Sequence, residues 1–209
     1  YKRQHGNIYL YGSASMGIRV ILEEIGVTYE LIESTIDMNK PRPADQLAIN
    51  PNGWIPVLVG DVAIYEAAAI TIYLCDKHSE ASLAPSFDDP SRGLFLQTLV
   101  YFSNSVQNAF QLNYYPERFC QSEEGYSNAM GRGVSRLRET WKVIDSQIGL
   151  NEWVLGDKFS AVDIYLFMLT TWISESRGHT SIQEFPNVAR VAKRVLDRPA
   201  TKEVYSSLS

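Results

Sequence analysis

Strand-forming patterns occur only in the first eighty residues of this 209-residue chain, and helix-forming patterns follow them. Residues 82–92 separate the two stretches; this segment contains two prolines, interrupts both periodicities and predicts an inter-domain linker. We therefore expect two domains, an α/β domain in residues 1–81 and an all-helical bundle in residues 93–209. At this length the chain can bury a sizeable core.

The α/β domain begins with a strand, a helix and a second strand. Residues 7–11 and 29–33 carry the strand patterns, and apolar residues recur at helical spacing from Met16 to Ile25. Gly26 is a natural stop for this helix, because glycine readily adopts the left-handed conformation that follows a helix end. Such a β-α-β unit predicts two parallel strands joined by a right-handed crossover.

A hairpin and a helix complete this domain. Asn50-Pro51-Asn52-Gly53 predicts a turn, the strand patterns of residues 55–59 and 62–65 follow it, and residues 66–78 predict a helix. Pro56 cannot donate a hydrogen bond to a sheet, so its strand either starts at an edge or contains a cis Ile55-Pro56 bond.

Four helical patterns make up the second domain: residues 93–113, 125–148, 161–172 and 188–196. Ser160 and Asp163 stand at the spacing of a capping box before the third of these helices. Because that helix is almost entirely apolar, we expect it to be buried at the centre of the bundle.

Composition excludes several classes of protein. A net charge of −5 argues against a nucleic-acid-binding surface, and the most apolar run is far shorter than the roughly 20 residues of a membrane span. Cys75 and Cys120 are too few for a disulfide framework or a cysteine metal site, which fits a reducing compartment and predicts a cytoplasmic protein. The three histidines lack metal-ligand spacing, so we expect each of them at the surface and no metal in the protein.

Five segments resemble motifs of one family, the cytosolic glutathione S-transferases: residues 10–19, 50–58, 65–70, 113–118 and 155–165. The Tyr-Pro-Glu-Arg sequence at 115–118 resembles a segment found in the bacterial branch of that family. The resemblance implies a thioredoxin-like first domain with a mixed four-stranded sheet and a helical second domain. It also implies a homodimer that uses glutathione as co-substrate and activates its thiolate for attack on a small hydrophobic electrophile.

The thiolate would be stabilised by a hydroxyl donor at the start of the first helix, where the helix dipole also favours an anion. Ser15 stands four residues before Arg19, as the catalytic serine does in serine-type transferases, and its position suits an N-cap whose hydroxyl points at the sulfur. Ser13 is the second candidate and Tyr11 a third, although a packed aromatic or electrophile-lining role suits Tyr11 better. Alternatively, Ser15 merely caps the helix.

The resemblance also assigns glutathione contacts. The cis Ile55-Pro56 step would present the backbone of Ile55 to the cysteinyl group, and Trp54 stands where a polar residue is more usual. Glu66 would bind the γ-glutamyl ammonium. Ala67 replaces the usual serine, which removes one hydroxyl contact to the γ-glutamyl carboxylate. Lys40 and Arg42 are candidates for the glycyl carboxylate, or are simply solvated.

The electrophile would lie between the domains, against residues of the helical half: Tyr101, Asn104, Asn108, Tyr114, Tyr115 and Arg118. Three of these are spaced i, i+3, i+7 and would share a helix face, although a dimer interface would have the same pattern. Two alternatives to a transferase stay open. One is a glutathione-dependent isomerase, dehalogenase or lyase on the same fold, and the other is a non-catalytic binding or regulatory protein.

Overall fold

The computed structural model describes residues 5–10, 12–34 and 40–206, which divide into two compact units. Unit 1 comprises the chain as far as Ala84 together with the segment from Arg198 onward, and unit 2 comprises Pro85–Asp197. The boundary after Ala84 lies inside the predicted linker.

A mixed four-stranded sheet forms the centre of unit 1. Its strands are β1 (His5–Tyr9), β2 (Tyr29–Glu33), β3 (Val57–Val59) and β4 (Ala63–Tyr65), in the order β2-β1-β3-β4. β1 is parallel to β2 and antiparallel to β3, and β3 is antiparallel to β4. This topology confirms the predicted β-α-β unit and hairpin. The Ile55-Pro56 peptide bond is cis, as one of the two readings of Pro56 predicted.

Among the described residues, four α-helices accompany the sheet: α1 (Ser15–Ile25), α2 (Ala44–Ile49), α3 (Ala67–Lys77) and α9 (Pro199–Tyr205). The core of the unit combines buried apolar side chains of α1, β3 and α3, among them Ile18, Leu22, Val57, Leu58, Ile70 and Leu74. Gly26 ends α1 in the left-handed conformation, as predicted.

Helix α9 differs from the sequence-based division, which places residues 198–209 with the helical domain. It packs against α1 and thereby belongs to unit 1. Arg198, at its start, donates two hydrogen bonds to the carboxylate of Glu24, from Nε to Oε1 at 2.6 Å and from Nη2 to Oε2 at 2.7 Å. A bidentate pair of this kind has a fixed geometry and so ties α9 to the end of α1.

Unit 2 contains α4 (Arg92–Tyr101), α5 (Gln107–Tyr114), α6 (Tyr126–Ile148), α7 (Ala161–Thr170) and α8 (Pro186–Leu196). Its residues form no strand, only an isolated bridge between Trp153 and Gly156, so the predicted all-helical character is confirmed. Every residue from Ala161 to Leu169 is buried, which confirms α7 as the central helix. Along the described part of the chain, no helix combines the length and apolarity that a membrane span requires.

A π-helical turn, Phe102–Val106, connects α4 and α5 where the sequence predicts one uninterrupted helix. The ring of Phe102 stacks on Tyr165 of α7 with centroids 5.9 Å apart, and the Tyr165 hydroxyl donates to Gln107 Oε1 at 2.9 Å. A π turn holds more residues than an α turn, so side chains beyond it are rotated away from α-helical spacing.

His179 is buried, contrary to the surface position expected for all three histidines. Its Nδ1 accepts the backbone N–H of Ser174 at 3.1 Å, and its Nε2 lies 3.0 Å from Asn113 Oδ1. The rings of Phe110 and Tyr114 pack edge-on against it. Burial lowers the pKa of His179, so the ring is neutral at pH 7, with Nε2 donating to Asn113.

Candidate functional site

Three segments that carry predicted site residues meet at one end of the sheet in unit 1. β3 is antiparallel to both neighbours, with Val57 opposite Ile8 on one side and Tyr65 on the other. The end of β1, the start of β3 and the end of β4 therefore lie side by side. The predicted residues at this end are Ser13 and Ser15 after β1, Ile55 and Pro56 before β3, and Glu66 and Ala67 after β4.

Ser15 differs from its expected geometry. It is the first residue of α1, while Ala14 occupies the N-cap position, and Ser15 has no exposed surface. Its hydroxyl turns back toward the end of β1, where Oγ accepts the Leu10 N–H at 3.0 Å and lies 3.1 Å from the Leu10 carbonyl oxygen. The hydroxyl thus neither caps α1 nor faces solvent.

Ser13 is the partly exposed serine of this turn. Its Oγ lies 2.7 Å from the Leu10 carbonyl oxygen and 2.7 Å from Ser15 Oγ, and it accepts the Ser15 N–H at 3.2 Å. Gly12 precedes it with a φ of 73°, a conformation that suits glycine because a side chain would be strained there. The turn therefore holds two serine hydroxyls in contact, one from a buried residue and one from a partly exposed residue.

The side chain of Asn50 holds the turn before the cis proline. The sequence predicts this turn, but the role of the Asn50 side chain was not predicted. Asn50 is buried; its Nδ2 donates to the Trp54 carbonyl at 2.7 Å and its Oδ1 accepts the Asn52 N–H at 3.0 Å. An Asn followed by Pro and Gly is the available signal, since Asn side chains often bond the backbone two residues later. Asn50 thereby positions the residue directly before Ile55.

Arg42 lies over Trp54, with the guanidinium carbon 4.8 Å from the ring centroid. A cation at this distance from an indole face is attracted to it. Gly53 permits the approach: its φ is 66°, and a Cβ there would stand 2.7 Å from Arg42 Cγ. The structure thus brings two predicted residues together, while Lys40 is exposed.

Glu66 has a backbone conformation that non-glycine residues rarely adopt, with φ 72° and ψ 114°. It occupies the N-cap position of α3, its side chain is exposed, and its carbonyl accepts the Ile70 N–H at 2.9 Å. Ala67 is the buried first residue of α3. Backbone strain of this type is concentrated at ligand sites, so Glu66 is a strong binding candidate.

Apart from Tyr11, the residues predicted to line the electrophile site belong to unit 2. Tyr101 ends α4, Asn104 is exposed within the π turn, and Asn108 is exposed in α5, so the i, i+3, i+7 spacing does not describe one α-helical face. Burial raises the pKa of Tyr101. Tyr115 and Arg118 lie beyond α5, at and after a break in the helix, and both are exposed.

Tyr114 has a structural role in unit 2. Its hydroxyl donates to the Trp172 carbonyl at 2.7 Å, and the guanidinium carbon of Arg177 lies 4.4 Å from its ring centroid. Tyr11, the remaining candidate, lies outside the described residues. Within those residues no group of three metal-ligating side chains is present.

Comparison with known proteins identifies relatives of both units. The model of the glutathione S-transferase N-terminal domain matches residues 12–77, and that of the C-terminal domain matches residues 119–199. Two matches to one family, in the family's order, cover most of the chain.

Curated relatives match along almost their whole length. Glutathione S-transferase GstA of Escherichia coli O157:H7 is 23% identical over 204 residues, which cover 95% of this chain and 96% of that protein. Glutathione S-transferase Z2 of Arabidopsis thaliana is 28% identical over 198 residues, or 92% and 86% of the two proteins. Among solved structures, a glutathione transferase homologue from Sulfitobacter with bound glutathione superposes with a TM-score of 0.89 over 98% of both chains, at 20% identity.

Proposed function

Since this chain belongs to the glutathione S-transferase family, we propose that it binds glutathione through unit 1 and activates the thiol for attack on a small hydrophobic electrophile. The thiolate is the reactive form, and a free thiol with a pKa near ~8.5 is only a few per cent ionised at neutral pH. A transferase of this kind must therefore favour the thiolate. The proton that glutathione loses when its thiol ionises passes to water.

The position of Ser13, a partly exposed residue, is the observation that carries this proposal. It lies just before the N-terminus of α1, where the helix dipole favours an anion. The buried Ser15 hydroxyl cannot reach a ligand without rearrangement. We therefore assign the contact with the glutathione sulfur to Ser13.

The other predicted contacts fit glutathione at the same end of the sheet. Ile55, before the cis proline, would pair its backbone with the cysteinyl group, and Glu66 would bind the γ-glutamyl ammonium. The first N–H groups of α3 would bind the γ-glutamyl carboxylate. Arg42 would meet the glycyl carboxylate while Trp54 supports its guanidinium, which gives Trp54 an indirect role in place of a polar contact.

Glutathione titration tests the proposal directly. We expect calorimetry to give a Kd in the micromolar to low-millimolar range, and ultraviolet thiolate absorbance of the complex to appear below pH 7. S-methylglutathione, which lacks the thiol, should bind without producing that absorbance. Absence of glutathione binding at several millimolar would refute the proposal.

A non-catalytic binding protein is the second candidate, and Ala67 is the observation that favours it. The helix α3 lacks the hydroxyl that would otherwise contact the γ-glutamyl carboxylate, and one such hydrogen bond contributes about 1 kcal/mol net. In this case glutathione would bind weakly and its thiol would titrate as it does in water. The same titration therefore separates the two candidates.

Ala67→Ser is expected to lower the Kd for glutathione about fivefold, because it adds one hydrogen bond to the ligand carboxylate. Ala69→Ser is the matched control, because it is the same substitution at an exposed position of the same helix. Calorimetry on both variants measures the effect. Equal affinity in the two variants would place the γ-glutamyl group elsewhere.

The electrophile would contact aromatic, amide and guanidinium side chains of unit 2, namely those of Tyr101, Asn104, Asn108, Tyr115 and Arg118. Transfer, isomerisation, dehalogenation and ether cleavage all use a glutathione thiolate, and a panel of electrophiles assayed by product analysis separates them. The homodimer and the cytoplasmic location stay predictions, testable by light scattering and by cell fractionation.

A further inference from the structure

We propose that Ser15 is a positioning residue of the thiolate site, whose buried hydroxyl donates to Ser13 Oγ and thereby turns the Ser13 hydroxyl toward the glutathione sulfur. This inference rests on the proposed function. In this arrangement Ser15 orients the Ser13 hydroxyl, and Ser13 alone of the two serines touches the ligand. The distances around Leu10 carry it.

The Leu10 carbonyl oxygen is approached by more donors than it needs. The Ser13 N–H lies 3.2 Å from it, the Ser13 hydroxyl 2.7 Å and the Ser15 hydroxyl 3.1 Å. A carbonyl oxygen has two lone pairs, so at least one of the three donors is surplus. When both hydroxyl protons turn away from Leu10, the Ser13 N–H still donates to its carbonyl oxygen, which therefore keeps a hydrogen bond.

The Ser15 hydroxyl supplies the donor that Ser13 then requires. The Leu10 N–H donates to Ser15 Oγ at 3.0 Å, which occupies an acceptor position there. Ser15 Oγ lies 2.7 Å from Ser13 Oγ and can pass its proton into that contact. The result is a continuous chain from the Leu10 N–H through Ser15 and Ser13 to the sulfur, in which every donor has an acceptor.

Burial strengthens this chain and fixes its direction. Ser15 has no exposed surface, so water does not compete for its hydroxyl, and consecutive hydrogen bonds polarise one another in such surroundings. Asn7, also fully buried, donates from Nδ2 to the Ser15 carbonyl at 3.5 Å, a long contact from the neighbouring strand. Without the Ser15 hydroxyl, the donor that Ser13 Oγ keeps among the described residues is the Ser15 N–H, at 3.2 Å.

Helix capping does not account for this geometry. The N-cap of α1 is Ala14, whose side chain makes no capping hydrogen bond, and the N–H of Ser15 in the first turn donates to Ser13 Oγ. The Ser15 hydroxyl bonds Leu10, just after β1, and lies 2.7 Å from Ser13 Oγ, so it does not serve as a cap of α1.

The test compares Ser15→Ala, Ser13→Ala and the double variant, with bound glutathione followed by thiolate absorbance across pH. Ser15→Ala should leave about threefold to tenfold less thiolate at pH 7, because one link of the chain is lost. Binding of S-methylglutathione should stay within about twofold, since the ligand contacts remain. The double variant should match Ser13→Ala, because Ser15 acts only through Ser13.

Ser160→Ala is the matched control, as it removes a buried serine hydroxyl of unit 2 and should lower stability without changing the thiolate titration. If Ser15→Ala does not fold, Ser15→Cys replaces it, since a thiol is a weak donor of similar shape. It should lower the thiolate fraction of bound glutathione in the same direction but by less. The absorbance of the ligand-free variant is subtracted, because the new cysteine can itself ionise. An unchanged titration in a folded Ser15 variant would overturn the inference, as would additive effects in the double variant. Failure of wild type to bind glutathione would instead overturn the proposed function, and the inference with it.

Discussion

Ser13→Ala is expected to lower kcat/KM for glutathione conjugation about 100-fold at pH 7, the loss typical when one donor to a developing or stabilised anion is removed. The hydroxyl of Ser13, a partly exposed residue, is the donor proposed for the sulfur, and alanine leaves the helix dipole to favour the thiolate. Because glutathione ionises unaided at high pH, the deficit should shrink as the pH rises toward 9. Steady-state rates across this range measure the effect.

The control for Ser13→Ala is Ser135→Ala, an exposed serine on α6 whose hydroxyl bonds only the Gly131 carbonyl, at 3.1 Å. Its rates should equal those of wild type at every pH. A Ser13→Ala deficit that stays constant with pH would show that Ser13 affects a step other than thiol ionisation. No deficit at all would remove Ser13 from the mechanism.

Asp163→Ala is expected to lower the free energy of unfolding by about 3 kcal/mol, because it strands three buried or half-buried donors. The carboxylate accepts the Val154 N–H and the Ser160 N–H, each at 2.8 Å, and the Ser160 hydroxyl at 3.1 Å. Burial raises the pKa of Asp163 to about 6, so the group still carries its charge at pH 7. Urea unfolding followed by circular dichroism measures the loss.

Asp157→Ala removes an exposed carboxylate from the same loop and should change stability by less than about 0.5 kcal/mol. Asp163→Asn should fall between the two, since the amide keeps one acceptor but turns its own N–H groups toward the donors. A loss below about 1 kcal/mol in Asp163→Ala would show that water replaces the carboxylate in the folded protein.

Local sequence patterns predicted those parts of the fold that depend on neighbouring residues. The turn at residues 50–53, the strands around Gly60-Asp61 and the capping pair Ser160 and Asp163 are each formed within a few residues, and the structure confirms them. The family resemblance supplied the mixed sheet, which requires pairing between distant strands. The role of each site residue in glutathione binding stays a prediction.

The direction of the Ser15 hydroxyl could not be predicted in the same way. Ser15 has the spacing from Arg19 that the resemblance assigns to the catalytic serine, and it was expected at the N-cap, but the backbone path after β1 makes Ala14 the cap and turns the Ser15 hydroxyl toward Leu10. A shift of one residue at a helix start changes which side chain occupies the N-cap. Sequence spacing does not resolve a shift of that size.

Contacts between distant elements explain the other differences. The π turn at Phe102–Val106 accompanies the packing of Phe102 on Tyr165, and burial of His179 depends on Asn113, sixty-six residues away. Neither partner is visible in a local window of sequence. Polar residues such as His179 can be buried only where such partners satisfy them.

The pairing of Arg198 with Glu24 has a consequence for how the protein is made. Because the two residues are 174 positions apart, α1 leaves the ribosome long before α9 exists to cover it. At about 5–20 residues per second the interval is roughly 10 to 40 seconds, during which all of residues 85–197 are synthesised. Helix α1 therefore cannot complete its packing until α9 has been made, and through that interval Glu24 is without its Arg198 partner.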